Sequence, residues 1–415
     1  MKKKRLLVLL GGYYPSYGAP GIVFEKMIPM LRDNYEIVIL TPRRIKHDLG
    51  KTFEYNDVIV HEITDWINDR VVLNANNRWF RLIWRCVQNV WLWIQKQPRF
   101  TYSIHNTLKS AERLHCEHMF HAVISVSFPP YTHIVAAIFK HRHPNVKWVA
   151  YSTDTFFEHQ CLSSWFGRIQ MCGVLHKELW AYRCADAVLM TPEIYALRNR
   201  MFPDGEVKPL LQNYILSLPE QNNDINDIPS ECREREDIHF VYTGVFYESV
   251  RNPYWFVKVM RHLLGNHRNF IFDFFLVTDT CKDIIESIAK DFPRNVVIHP
   301  AVLPSEVGSR MKRADFLLNF SNDADQFSPS KIFDYIAIGR PILNIAYPGR
   351  KVSDVLIKNP LSFTLVNDSD IQESTKAVEV FVERNIGKLL KCDELRSLYV
   401  EYLPENALKE LVNHL

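Results

Sequence analysis

Short, continuous hydrophobic runs recur along this chain, and segments with apolar residues at helical spacing separate them. Runs with no polar alternation are typical of strands that are buried on both faces, so their alternation with helices predicts parallel sheets. In the first half we predict strands at residues 5–10, 35–40, 58–63, 122–127, 146–151 and 187–190. Predicted helices of the same half lie at 22–31, 131–142, 174–184 and 193–202.

The alternation stops at residues 217–237, which have no periodicity and are rich in Glu, Gln, Asn and Asp. It then resumes, with strands predicted at 238–242, 270–277, 296–299, 316–320, 341–345 and 362–366. Predicted helices of this half lie at 253–264, 279–290, 305–313, 370–390 and 393–415. The sequence therefore predicts two Rossmann-like α/β domains that face a cleft. The predicted parts are a first domain at 1–215, a linker at 216–237, a second domain at 238–390, and a C-terminal helical segment at 391–415 that crosses back to the first domain.

Composition narrows the class of protein. A length of 415 residues suits two domains, and a net charge of +3 gives no reason to expect a nucleic-acid partner. The eight cysteines are scattered singly without a C-x-x-C pair, which indicates a reducing compartment. The apolar run at 6–10 is too short for a signal peptide, and no run is long enough to span a membrane. We therefore expect a cytoplasmic protein.

Residues 77–96 form the most unusual predicted helix, because they combine many aromatic residues with Arg78, Arg81 and Arg85 on one helical face. One interpretation is an amphipathic helix packed on the sheet. The other is an interfacial helix with Trp and Arg at the level of lipid headgroups, which would place the protein at the inner face of the cell membrane.

The stretch 326–343 reads Q-F-S-P-S-K-I-F-D-Y-I-A-I-G-R-P-I-L, a polar loop, a helix and the start of a strand. Ser328 or Ser330 can cap the helix, whose free N–H groups attract anions. Lys331 adds a positive charge, and Asp334 can accept hydrogen bonds from vicinal hydroxyls. The stretch is suited to an anionic, polyhydroxylated ligand.

A second phosphate-compatible segment follows the strand at 238–242, where Gly244 begins a loop that leads to Arg251. Taken singly, residues such as Arg251 and Lys331 are more often surface charges than ligand-binding groups. Both segments follow parallel strands, however, and can converge at the carboxyl edge of one sheet, as a diphosphate would require. No His, Cys or acidic cluster has the spacing of metal ligands, so we expect a metal-independent site.

The first half contributes further candidates, each with two interpretations. Gly18 and Gly21 lie in a loop that is either simply flexible or shaped for backbone approach to a ligand on the acceptor side. His133 lies in the first turn of a helix and is either acceptor-facing or structural. Asp154 follows a strand and either caps a helix or else orients or deprotonates a hydroxyl.

Several segments resemble GT-B glycosyltransferases, specifically family 4-like enzymes, in matching order along nearly the whole chain. The segments are the Gly-rich loop, F-P-P-Y-T-H-I-V-A-A, E-L-W-A-Y-R-C-A-D-A-V-L, Y-T-G-V-F-Y-E-S-V-R-N-P, R-A-D-F-L-L-N-F and P-S-K-I-F-D-Y-I-A-I-G-R-P-I-L. The resemblance implies that Arg251 and Lys331 hold the diphosphate of a nucleotide sugar and that Asp334 binds its ribose. It also implies retention of anomeric configuration.

Gln326 departs from the pattern, since many members of that family have a glutamate there, where it contacts the donor sugar. The function expected from the resemblance is transfer of a sugar from a nucleotide-diphosphate sugar to a hydroxyl of a glycan or lipid-linked glycan, in surface polysaccharide biosynthesis. The nucleotide sugar is a co-substrate, and no cofactor is expected. The alternatives are a nucleotide-sugar epimerase of the same fold and a catalytically silent glycan-binding subunit.

Overall fold

The computed structural model describes residues 3–15, 17–43, 47–63, 102–127, 129–153, 165–201, 209–218, 237–248, 250–276, 280–300, 304–323 and 331–415. Asp154, Gln326, Ser330 and the predicted helix at 77–96 lie outside these ranges, as does most of the predicted linker. The chain divides into two compact units, one formed by Met1–Ile215 with Pro404–Leu415 and the other by Leu216–Leu403. Of the predicted C-terminal segment, only the residues from Pro404 onward belong to the first unit.

Within the described residues, the first unit contains an eight-stranded sheet in the order β3-β4-β2-β1-β5-β6-β7-β8. Neighbouring strands are parallel except β3 and β4. Strands β1 and β5 lie at its centre, and β5 is buried along its full length, as its apolar run predicts. The strands are β1 (Lys4–Leu9), β2 (Tyr35–Pro42), β3 (Thr52–Tyr55), β4 (Val58–Ile63), β5 (Ala122–Ser127), β6 (Lys147–Ser152), β7 (Ala187–Met190) and β8 (Leu210–Leu211).

The second unit contains a parallel sheet that has six strands in the described residues, in the order β11-β10-β9-β12-β13-β14. Its strands are β9 (Ile238–Gly244), β10 (Phe270–Leu276), β11 (Val296–His299), β12 (Phe316–Phe320), β13 (Ile342–Ala346) and β14 (Ser362–Val366). Strand β9 starts the unit and lies in the middle of the sheet. The chain runs outward to β10 and β11 on one side and then continues with β12, β13 and β14 on the other.

Helices connect the parallel strands of both sheets. In chain order they are α1 (Ala19–Glu25), α2 (Ile28–Leu31), α3 (Tyr102–His118), α4 (Tyr131–Arg142), α5 (Trp165–Cys184), α6 (Pro192–Met201), α7 (Tyr254–Asn266), α8 (Lys282–Asp291), α9 (Pro304–Arg313), α10 (Lys331–Ile338), α11 (Asp354–Lys358), α12 (Ile371–Asn385), α13 (Cys392–Leu398), α14 (Pro404–Ala407) and α15 (Lys409–His414). Among the helices of the described ranges, none is long and apolar enough to cross a membrane.

Among the predicted helices, three are divided or end at least five residues early, and the reasons are local. The predicted helix 22–31 is divided into α1 and α2, because Pro29 has no N–H to donate and its ring would crowd the carbonyl of a continuous helix. The predicted helix 393–415 is a series of short helices, and Leu403 is extended before Pro404, as residues preceding proline usually are. The predicted helix 370–390 ends at Asn385, just before Gly387 at φ 74°.

The prediction does not include strand β3, which pairs antiparallel with β4. The two strands are joined by Asn56 and Asp57, at φ 49° and 61°. Two consecutive residues with positive φ are typical of the two-residue hairpin turn that follows the strand twist, and Asn and Asp tolerate this conformation best after glycine. The signal was therefore present in the sequence.

Candidate functional site

The candidate site lies in the second unit, where β9 and β12 are neighbours in the sheet. From these two strands the chain continues toward opposite edges of the sheet. The connections after their carboxyl ends therefore diverge, and a crevice lies between them. Gly244 is the last residue of β9, and Lys331 is the first residue of α10, which follows β12. The sheet order therefore brings together two segments that the sequence only suggested would converge.

Lys331 and Gly244 are close neighbours. A Cβ atom placed on Gly244 would lie 3.6 Å from Lys331 Nζ and 3.1 Å from the hydroxyl of Tyr242. Gly244 also has φ 152°, a conformation that residues with side chains rarely adopt. Glycine thus leaves room beside the ammonium group and supplies the backbone conformation that the loop needs.

Burial lowers the pKa of Lys331 from 10.5 to about 8, because the charged ammonium loses hydration. The carboxylate of Asp334 acts in the opposite direction, and the positive charge of Arg251 lowers the pKa further. The effect of Arg251 shows that the two cations act on each other across the crevice. Such like charges are held together at an electrostatic cost, which a bound anion would relieve.

Arg251 is held in place by its backbone and by its side chain. Its backbone exchanges two hydrogen bonds of 2.8 Å with Tyr247, and its Nε donates to Asn322 Oδ1 at 2.8 Å. In the part of the chain that the structure describes, neither Arg251 nor Lys331 has a carboxylate oxygen within 4.0 Å. Among the described residues, no carboxylate at this distance neutralises the two charges, which suits a site for a diphosphate.

Tyr335 connects the helix that carries Lys331 to the strand that carries Gly244. Its hydroxyl accepts a hydrogen bond from Thr243 N at 3.0 Å and lies 3.3 Å from the carbonyl oxygen of the same residue. Burial raises the pKa of this hydroxyl, so it remains a neutral donor and acceptor. Asp334 directly precedes Tyr335 and lies in the first turn of α10. The ribose role of Asp334 stays a prediction.

Sequence reasoning missed two residues that shape the crevice, Asn322 and Tyr335. Asn322 belongs to the polar stretch 321–323, and polar residues directly after a buried strand are a signal that could have identified it. Tyr335 is embedded in the apolar pattern of its helix, and no sequence signal separates it from core residues.

The candidates of the first unit have other surroundings. A Cβ on Gly21 would lie 2.2 Å from the carbonyl oxygen of Gly12, so this glycine allows α1 to approach the loop that follows β1. Gly18 precedes α1, and its carbonyl accepts from Gly21 N at 2.9 Å and Ile22 N at 3.2 Å. Both glycines thus shape the start of α1, and their acceptor-side role stays a prediction.

His133 is fully buried, with Nδ1 at 2.6 Å from Ser125 Oγ and Nε2 at 3.1 Å from Ser152 Oγ. Ser152 Oγ in turn lies 2.6 Å from the hydroxyl of Tyr182. Burial lowers the pKa of His133 to about 3, so its ring is neutral at ordinary pH. These are the surroundings of a structural histidine, and the predicted acceptor-side role is not tested by them. Asp154, the third candidate of this unit, lies outside the described residues.

A search of the described residues for three or more His, Cys, Asp or Glu side chains that could hold a metal ion finds no such group. Metal independence nevertheless stays a prediction, since residues 154–164 and 324–330 are not described.

No protein-family model matches this chain, and no curated protein sequence matches it. Several solved structures, however, are similar to it. Sucrose-phosphate synthase of Thermosynechococcus elongatus has a TM-score of 0.66 at 10% identity, over 99% of this chain and 98% of that one. A glycosyltransferase of Rickettsia africae has a TM-score of 0.61 at 9% identity, over 100% and 98%. Anabaena HepE in complex with UDP has a TM-score of 0.56 at 11% identity, over 99% and 98%. The predicted GT-B fold is confirmed.

Proposed function

We propose that this protein is a glycosyltransferase that moves a sugar from a nucleotide-diphosphate sugar to a hydroxyl of an acceptor. The observation that carries the proposal is the approach of Lys331 and Arg251 to one crevice beside Gly244, at the point where the strand order reverses. Support also comes from the similar structures, which include a sucrose-phosphate synthase, a glycosyltransferase and a protein in complex with UDP.

The chemistry of the crevice fits departure of a nucleoside diphosphate. As the bond between the sugar and the diphosphate breaks, negative charge grows on the phosphate oxygens. Fixed cations that are already in place stabilise this charge without having to reorganise. Lys331 and Arg251 supply such cations and therefore support a metal-independent reaction without a cofactor. Asp334, Gln326 and Ser330 are proposed to contact the rest of the donor, and Asp154 to orient the acceptor hydroxyl.

Binding of nucleoside diphosphates tests the proposal directly. Thermal shift and calorimetry with UDP, GDP, ADP and TDP should identify one that raises the melting temperature of the unmodified protein. The test variant is Lys331→Ala in the site, and its matched control is Lys376→Ala on the exposed face of α12. The proposal predicts that only the first substitution removes the shift. If no nucleoside diphosphate binds, the assignment of the crevice is wrong.

The finer expectations belong to the same proposal: a retaining reaction, a glycan or lipid-linked acceptor, and a role in surface polysaccharide biosynthesis. The resemblance of the sequence to family 4-like enzymes supports retention. Retention is tested by incubating the protein with sugars linked to the nucleotide that it binds and with a panel of glycan acceptors. NMR of the product then gives its anomeric configuration. A change of the sugar in the absence of any acceptor would instead support the epimerase alternative.

A peripheral contact with the inner face of the cell membrane is proposed from the Arg and Trp content of residues 77–96. Co-sedimentation with liposomes that contain or lack anionic lipid tests this contact. Exchange of Arg78, Arg81 and Arg85 for Gln should abolish binding to the anionic liposomes. If the unmodified protein binds neither kind of liposome, the membrane proposal fails and the glycosyltransferase proposal is unaffected.

A further inference from the structure

Asn322 contacts the side chain of Arg251 directly, with its Oδ1 2.8 Å from Arg251 Nε. The two residues are 71 positions apart and lie in different loops of the second unit. Arg251 follows β9, and Asn322 follows β12. The contact therefore spans the crevice where the order of the strands reverses.

The backbone on either side of Asn322 is anchored. Ser321 N donates to Ile345 O at 2.8 Å, and Ser321 Oγ lies 2.9 Å from Asn344 Oδ1. On the other side, Asp323 N donates to Val250 O at 2.7 Å. Asn322 is thus held between a bond to the neighbouring strand β13 and a bond to the loop of Arg251, which limits its freedom to move.

An asparagine at this position has a specific chemical consequence. Its amide oxygen accepts the Nε–H of the guanidinium but is uncharged, so the positive charge of the guanidinium is kept. A carboxylate in the same place would neutralise that charge. The two terminal nitrogens of an arginine can then form the paired hydrogen bonds that phosphate oxygens accept. A long side chain that is already held also loses less conformational freedom when a ligand binds.

We propose that Asn322 is a positioning residue, which holds the guanidinium of Arg251 in the orientation that binds the diphosphate of the donor. The inference rests on the proposed nucleotide-sugar site. It adds a residue that does not touch the donor in this scheme and acts through Arg251.

A double-mutant cycle separates this role from a purely structural one. The measured quantity is the dissociation constant of the nucleoside diphosphate that the unmodified protein binds, for Asn322→Ala, Arg251→Ala and the double variant. Loss of a hydrogen bond that holds a charged group predicts about tenfold weaker binding for Asn322→Ala. In the Arg251→Ala background the same change should have no further effect, because no guanidinium remains to be positioned.

Two controls keep the test sharp. Asn322→Ser keeps a polar side chain in the loop but is too short to reach Arg251, so it should show the same loss of affinity as a folded Asn322→Ala. It also provides the measurement if the alanine variant folds poorly. Asn266→Ala, at the end of α7, removes a contact with Glu379 and should leave the affinity unchanged.

The outcomes distinguish this inference from the function on which it rests. Unchanged affinity in both Asn322 variants overturns the positioning role and leaves the diphosphate site standing. The positioning role is also overturned if Asn322→Ala weakens binding equally in the presence and absence of the Arg251 side chain, since Asn322 would then act through the fold. If the unmodified protein binds no nucleoside diphosphate, both the site and the positioning role are rejected.

Discussion

The hydroxyl of Tyr335 accepts a hydrogen bond from the backbone N–H of Thr243 at 3.0 Å, and both residues are buried. Thr243 immediately precedes Gly244 at the end of β9. Tyr335 lies one helical turn after Lys331 in α10. This bond therefore fixes the distance between the strand end and the helix start that together form the candidate diphosphate site.

Tyr335→Phe should lower both stability and affinity for a nucleoside diphosphate. The change leaves the buried N–H of Thr243 without its partner, which costs about 1–3 kcal/mol of unfolding free energy. Urea unfolding and calorimetric titration measure the two effects. Tyr399→Phe is the matched control, because it removes another buried hydrogen bond of the same unit, from the Tyr399 hydroxyl to Val355 O. It should lower stability alone; equal effects of both variants on affinity would contradict the role of Tyr335.

Gly244→Ala should abolish nucleoside diphosphate binding. The substitution places a Cβ in a backbone conformation that favours glycine and 3.1 Å from the Tyr242 hydroxyl, at a cost of about 1–3 kcal/mol. Gly265→Ala in α7 provides the comparison, because a Cβ there would meet no atom within 4 Å apart from the backbone of its own helix. That variant should be unchanged or more stable by about 0.5–1 kcal/mol. Full binding by Gly244→Ala would show that the loop tolerates a side chain.

Lys331→Ala and Arg251→Ala should each reduce turnover by about 10²–10³-fold, the usual effect of removing one fixed group that stabilises developing charge. Their circular dichroism spectra and melting curves should remain those of a folded protein. The assay is sugar transfer from the nucleotide sugar identified by binding, with Lys376→Ala as the surface control. Near-normal turnover in both site variants would refute the diphosphate assignment.

Nucleoside diphosphate affinity should fall as the pH rises through the pKa of Lys331, which is about 8. The ligand prefers the charged ammonium, so above this pH each binding event must first return a proton to the lysine. The dissociation constant should therefore increase by about tenfold between pH 7 and pH 9. Lys331→Arg keeps its charge over this range and should show a flat profile. The same slope in both proteins would assign the titration to another group.

Acid should destabilise the first unit through His133. Its pKa is about 3 in the folded protein, below the ordinary value of 6.5, so the unfolded chain binds more protons between these values. Stability then rises with pH across this window, and acidification to pH 4 should cost about 3 kcal/mol. Urea unfolding at pH 7 and pH 4 tests this. In His133→Gln the difference in unfolding free energy between the two pH values should be much smaller. His262→Gln, on the exposed side of α7, should retain the full difference. An unchanged difference in His133→Gln would exclude this histidine as the cause.

Strands were the most predictable part of the fold, because a strand buried on both faces needs an unbroken apolar run. The predicted strands at 58–63, 122–127, 187–190, 296–299 and 316–320 have the observed bounds. Helix ends were less predictable where proline intervened, as at Pro29 and Pro404. Helix α3 and strand β3 are not among the predicted elements, although β3 is followed by a recognisable turn.

The sequence by itself determined which segments are buried strands and that Gly244, Arg251 and Lys331 lie at or after the ends of such strands, since apolar runs and charges are local properties. Only the tertiary structure decided that β9 and β12 are neighbours, so that these residues meet at a point where the strand order reverses. It also paired Tyr335 with Thr243 across 92 positions and Asn322 with Arg251 across 71. Such pairs depend on the order of strands in the sheet, and the hydrophobic pattern of a strand does not encode which strand will lie beside it.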